Sequence, residues 1–135
     1  MRLCADTWFL LELANESAHA VRILKDVEKG KHILFVPVLA VSEITNLLYQ
    51  RGASLLADAM IANLVGMENI SVVDINLDIA KEIAKIKHSF ALSIADASMV
   101  ATYKIANCDI FLAVDSDYKT AVKQNIVKIK PLTDV

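Results

Sequence analysis

Glycine and proline are scarce in this chain, at three and two in 135 residues. Few breakers mean few long loops, and the chain reads as one compact domain, residues 1–135, with a large core. Cysteine is scarce too. Cys4 and Cys108 are too few for a disulfide framework, and both read as small buried hydrophobes. No apolar run reaches the roughly 18 residues of a membrane span, which excludes a membrane partner. The opening M-R-L-C-A-D builds no signal peptide, because Asp6 interrupts it, so the expected location is cytoplasmic. Positive charge is not in excess: the formal net charge is −2. That excludes a strongly basic nucleic-acid clamp, but not nucleic acid held with the help of metal ions. Gly-rich phosphate loops, serine elbows and CxxC pairs are missing. Of three histidines, His19 and His32 fall on outer segments and His88 at a helix end.

What is present is apolar and periodic. Hydrophobic residues make up 56 % of the chain. Five short strands are expected: Arg2–Ala5, His32–Val36, Ile70–Val73, Ile110–Val114 and Ile126–Ile129. Helices fill the gaps. One to two turns follow Asp6. A longer helix ends at Gly30, with Ala20, Val21, Leu24 and Val27 inward. Another runs from Pro37 to Arg51, with Val41, Ile44 and Leu48 inward. An apolar helix covers Ala53–Val65, with Met60 and Leu64 as core or dimer face. Leu77–Phe90 turns Ile79, Ile83 and Ile86 inward. Leu92–Asn107 is Ala-rich, and Asp117–Lys123 is short. Strands alternating with helices predict an α/β fold, a five-stranded parallel sheet covered on both faces in three α/β/α layers.

In such a sheet ligands bind at the edge where the strands end. Asp6 ends strand one. Asp115 ends strand four, with Asp117 just beyond. Glu43 sits near the second turn of the helix after strand two. Asp96 sits in the first turn of a helix running back to the start of strand four. Topology therefore brings remote acids together. Packed carboxylates repel one another unless cations bind, and Mg²⁺ or Mn²⁺ prefer such oxygen ligands. Each acid also has a plain reading. Ser93 and Asp96 form an S-x-x-D capping box, Asp6 can cap a helix, and Asp115 and Asp117 suit a turn. Glu43, beside Leu47 at the edge of an apolar stripe, is the hardest to dismiss. Arg22, Lys25, Lys29 and Arg51 are cations that either touch phosphates or line a solvated face.

With the acids in place, the chain resembles a PIN domain, in particular the small toxins of the virulence-associated protein C type. The resemblance rests on Asp6-Thr7, on V-S-E-I at Val41–Ile44, on S-I-A-D-A at Ser93–Ala97 and on V-D-S-D-Y at Val114–Tyr118. It implies strand order 3-2-1-4-5 and a metal-dependent endoribonuclease that hydrolyses RNA. Asp6, Glu43, Asp96 and Asp115 would be the catalytic, metal-holding acids for Mg²⁺ or Mn²⁺, with Asp117 and Thr7 accessory. It also implies a homodimer and a cognate antitoxin. Three departures stand out: Trp8 in place of a small polar residue, Ala113 in place of Thr or Ser, and Tyr118 in place of Phe. Trp8 and Ala113 support a second reading, a catalytically silent PIN-like binding module. A third reading, a phospho-acceptor receiver domain, needs Asp6, Asp74 and Lys130 at one edge, yet leaves Glu43 and Asp96 unexplained.

Overall fold

A computed structural model describes residues 1–135. Strand β1 is Arg2–Ala5, and α1 (Thr7–Ala14) and α2 (Ala18–Glu28) follow. Then come β2 (Ile33–Pro37), α3 (Val38–Gln50), α4 (Ser54–Gly66), β3 (Ile70–Val73), α5 (Leu77–Phe90), α6 (Ile94–Ile105) and β4 (Ile110–Leu112). A 3₁₀ turn at Asp115–Asp117, the short α7 (Lys119–Lys123) and a last 3₁₀ turn at Leu132–Asp134 complete the chain.

The sheet is parallel and four-stranded, in the order β3-β2-β1-β4. The central strand β1 shows why it is covered on both sides. Leu3, Cys4 and Ala5 point alternately to opposite faces, and all three are fully buried. The expected fifth strand is not formed. Its segment lies beside β4 as anticipated, but touches it only through one parallel bridge, Phe111 to Ile129, with the Phe111 N–H donating to the Lys128 carbonyl at 2.8 Å. Two features stop a ladder from growing. Strand β4 is three residues long, and Pro131 follows with no N–H to give.

Helix faces follow the apolar spacing, with shifts. In α5 the inward residues are Ile79, Ile83 and Ile86, as expected. In α2 the buried stripe is Ala20, Ile23 and Val27, leaving Val21 and Leu24 half-buried. In α3 Ala40 replaces Val41 beside Ile44 and Leu48. Helix α4 buries Ala57 and Leu64, while Leu55 and Val65 are 84 % and 72 % exposed. Gly30 and Gly52 follow α2 and α3 at φ +77° and +70°, the left-handed geometry that lets the chain leave a helix sharply.

The two cysteines are buried and free, and burial, with Cys108 alongside, pushes the Cys4 thiol well up. His32 is not on an outer segment. It is buried at 4 % exposure, with Nδ1 at 3.1 Å from the terminal amine. Arg22, part of whose side chain stays in solvent, also has a structural role: its guanidinium donates to the carbonyls of Leu132 and Val135 and tethers the C-terminal turn.

Phe111 is the aromatic pivot of β4. Its ring meets Tyr103 at 5.8 Å and Tyr118 edge-on at 4.9 Å between centroids. Emptying that position leaves a cavity between two rings. Phe111→Ala is expected to lower unfolding free energy by about 3–5 kcal/mol, read from urea denaturation.

Candidate active site

Asp6 is the residue that leaves β1. Its N–H continues the ladder to the Leu112 carbonyl at 3.2 Å, so its backbone is fixed at the carboxyl end of the sheet. It precedes α1 in the capping position, yet its side chain makes no cap hydrogen bond. That carboxylate instead accepts from the Tyr118 hydroxyl at 3.0 Å and is only 6 % exposed. Asp96 behaves in a similar way. Ser93 caps α6 by accepting from the Asp96 N–H at 3.1 Å, so half of the capping box is made. The Asp96 carboxylate is within 3.2 Å of the same Tyr118 hydroxyl. One phenol therefore stands between two acids that lie 90 positions apart in the chain.

A cleft of about 350 Å³ opens beside this pair, walled by Asp6, Thr7, Trp8, Glu43, Asn46, Leu47, Asp96 and Asp117. Glu43 is exposed rather than trapped at an apolar edge, and its position has another cause. Its Oε1 accepts from the Thr7 hydroxyl at 2.6 Å, which ties α3 to the start of α1. Asp117 is exposed and on the cleft wall. Asp115, two residues earlier in the same 3₁₀ turn, is exposed but outside that wall. Ala113 is buried and also outside it, whereas Trp8 is half-buried on it. Residue patterns did not reveal Asn46 or the hydroxyl of Tyr118. The signal for Tyr118 was its departure from Phe at the end of V-D-S-D-Y.

The electrostatics are those of crowded anions. Burial pushes the Asp6 carboxyl up to about 6, and the charges of Asp96 and Glu43 add to the rise. The Tyr118 hydroxyl and the Thr7 backbone N–H work against it. Burial also raises the Tyr118 hydroxyl, helped by the charges of Asp6 and Asp96, so it stays protonated and can donate. No three His, Cys, Asp or Glu side chains converge closely enough here to cage a metal ion by themselves.

The receiver arrangement is absent. Asp74 follows β3, which is separated from β1 and Asp6 by β2. Asp74 is not on the cleft wall.

The Asp6 shift has a direct consequence for stability. Its ordinary value is 3.8 and its folded value about 6, so between the two the folded state holds the extra proton. Stability in EDTA should therefore fall as pH rises through that window, by on the order of 3 kcal/mol from this group. Asp6→Asn is expected to flatten that slope, read as melting temperature against pH.

Comparison with known proteins places this geometry in a family. The PIN domain model matches residues 3–123. No curated protein sequence matches. Among solved structures, VapBC2 from Rickettsia felis bound to a promoter DNA fragment aligns at TM-score 0.74 and 7 % identity, over 96 % of this chain and 98 % of that one. The VapC20 toxin of Mycobacterium tuberculosis, which cleaves the sarcin–ricin loop, aligns at TM-score 0.74 and 18 % identity, over 96 % and 99 %. A toxin–antitoxin complex from Klebsiella pneumoniae gives 0.67 and 13 %, over 96 % and 97 %. At such identities these structures share the fold, and the match across residues 3–123 makes the chain a member of the PIN domain family.

Proposed function

We propose that this chain, taken as one domain over residues 1–135, is a metal-dependent endoribonuclease and the toxin of a toxin–antitoxin pair. The observation that carries the reading is the meeting of Asp6 and Asp96 on one hydroxyl, with Glu43 and Asp117 around the same cleft. The fold similarity to VapC20 and to two toxin–antitoxin assemblies supports an RNA substrate and a cognate antitoxin.

The donor set fits Mg²⁺ or Mn²⁺. All four acids on the wall offer oxygen, and Mg²⁺ binds through one or two carboxylates while keeping several waters. A closed cage of three protein ligands is not required of such a site. Asp6 and Asp96 would hold the ion, with Glu43 and Asp117 beside them on the wall and Asp115, expected as a ligand, in the same turn as Asp117. When bound, the ion supplies positive charge that lowers the pKa of a water and holds a phosphodiester for in-line attack. The chain's own part is orientation. The ladder bond fixes the Asp6 backbone, the Ser93 cap fixes the first turn of α6, and Thr7 aims Glu43 into the cleft. Exposed Asp117 and Glu43 have room to turn toward a ligand.

A cytoplasmic location and a homodimer belong to the same proposal. No helix is long and apolar enough to cross a membrane. The exposed Leu55 and Val65 of α4 support a protein partner.

A catalytically silent module would bind the ion without cutting RNA. Purified protein is expected to cleave RNA with Mn²⁺ or Mg²⁺ and to stop in EDTA. Asp96→Asn should slow cleavage by about 100-fold or more, the scale of losing one electrostatic contact at the reacting group. An Asp96→Asn protein that cuts as fast as its parent removes that residue from the site. Because Asp117 is on the wall and Asp115 is not, Asp117→Asn is expected to reduce the rate more than Asp115→Asn.

A further inference from the structure

Tyr118 is buried at 1 % exposure, yet its hydroxyl faces the acids rather than the core. Its ring cannot drift. Phe111 packs against it edge-on, and Tyr103 backs Phe111 in turn. The hydroxyl is thus held at a fixed point, 3.0 Å from one oxygen of Asp6 and 3.2 Å from one oxygen of Asp96. A phenol has one proton to donate, and both acids draw on it. In each carboxylate the hydroxyl engages Oδ1.

We propose that Tyr118 is a positioning residue for the cation site, its hydroxyl clamping Asp6 and Asp96 together so that their remaining oxygens face the same point of the cleft. The inference rests on the metal-dependent reading above and names what prepares that site. Two neighbouring anions repel when nothing lies between them. A shared donor sets their rotamers before the ion arrives, so less reorganisation accompanies binding. Removing the hydroxyl frees both carboxylates to rotate apart, and the ion must then gather them. A phenylalanine would keep the ring packing against Phe111 and lose only the donor.

The chain has a single tryptophan, Trp8, and it lies on the cleft wall. Quenching of its fluorescence by paramagnetic Mn²⁺ at fixed pH 8 therefore reports occupancy of the cleft without any catalysis. For Tyr118→Phe the dissociation constant is expected to rise about 10- to 100-fold, the usual effect of losing a group that orients a metal ligand. Asp96→Asn should weaken binding at least as much. A Tyr118→Phe protein that binds Mn²⁺ within about twofold of the parent, or more tightly, overturns the clamp; loss of binding in Asp96→Asn alone would leave the metal site standing. A parent protein with no saturable quenching overturns the metal reading and the clamp together.

A second measurement needs no variant. In protein labelled with ¹³C at the tyrosine Cζ, Mg²⁺ should shift the Tyr118 resonance more than those of Tyr49 and Tyr103. An unmoved Tyr118 signal in Mg²⁺-saturated protein overturns the clamp.

Discussion

Like charges at the carboxyl end of the sheet are what the rest of the molecule has to accommodate. Asp6 is 6 % exposed and has Asp96 for a neighbour across one hydroxyl. Left to itself such a pair would separate into water, and three kinds of apolar packing prevent it. Strand β1 is buried on both faces, so the residue after Ala5 has no freedom to leave. Helix α6 buries an unbroken run from Ala97 to Thr102, which fixes the turn carrying Asp96. The hydroxyls in that run, Ser98 and Thr102, bond back to carbonyls of their own helix and leave the packing undisturbed. Phe111 and Tyr103 hold the Tyr118 ring. The hydrophobic core thus offsets an electrostatic strain placed at its rim, as expected where a fold keeps charge for chemistry.

The sequence carried the topology better than the details of the site. Apolar spacing of period 3.6 located the helices, and short apolar runs located the four strands that form. Isoleucines at 79, 83 and 86 face inward because the charged residues of α5, among them Lys81, Glu82, Lys85 and Lys87, leave one strongly apolar face to bury. In α2 and α3 the flanking positions are apolar as well, so one position of each stripe could move to its neighbour, Leu24 to Ile23 and Val41 to Ala40. The segment Ile126–Ile129 has strand composition, but composition cannot reveal that its partner β4 is three residues long. Glu43 was argued from an apolar neighbour and is held instead by Thr7, a contact between residues 36 positions apart. Tyr118 stands out in the sequence only as a departure from Phe, because a sequence shows ring size more plainly than where a hydroxyl points. Long-range pairing of polar atoms is decided by packing, and that is the level at which single-sequence reading fails.

Charge placement bears on the choice of substrate as much as on the ion. The formal net charge is −2, and the cleft is walled by four acids and no lysine or arginine. A phosphodiester approaching that cleft alone would meet repulsion. Arg22, a candidate for phosphate contact, is occupied in holding Leu132 and Val135 and paired with Asp26 at 3.6 Å. Lys25, Lys29 and Arg51 remain exposed on α2 and at the end of α3. Under the proposed ribonuclease reading, an anionic substrate at this anionic site makes sense if a cation arrives first or together with it.

This chain and the three solved structures agree at 7–18 % of positions and still superpose at TM-scores of 0.67 to 0.74. Such agreement comes from a pattern of buried and exposed positions, which many residue choices satisfy. Catalytic roles do not follow from that pattern, because a shared backbone is compatible with many chemistries. They follow from where the backbone must place a side chain: after a central strand, in the first turn of a helix, in the turn beyond the next strand. In this chain those places hold Asp6, Asp96 and the acids of the Asp115–Asp117 turn, and for that reason the proposed nuclease site is built on them. The residue that ties two of them together, Tyr118, is at a place where bulk alone would have satisfied the fold. Its hydroxyl is surplus to packing and costly to bury without a partner. A surplus polar atom that finds two carboxylates at hydrogen-bond distance has a reason to be there that lies in the site and not in the core.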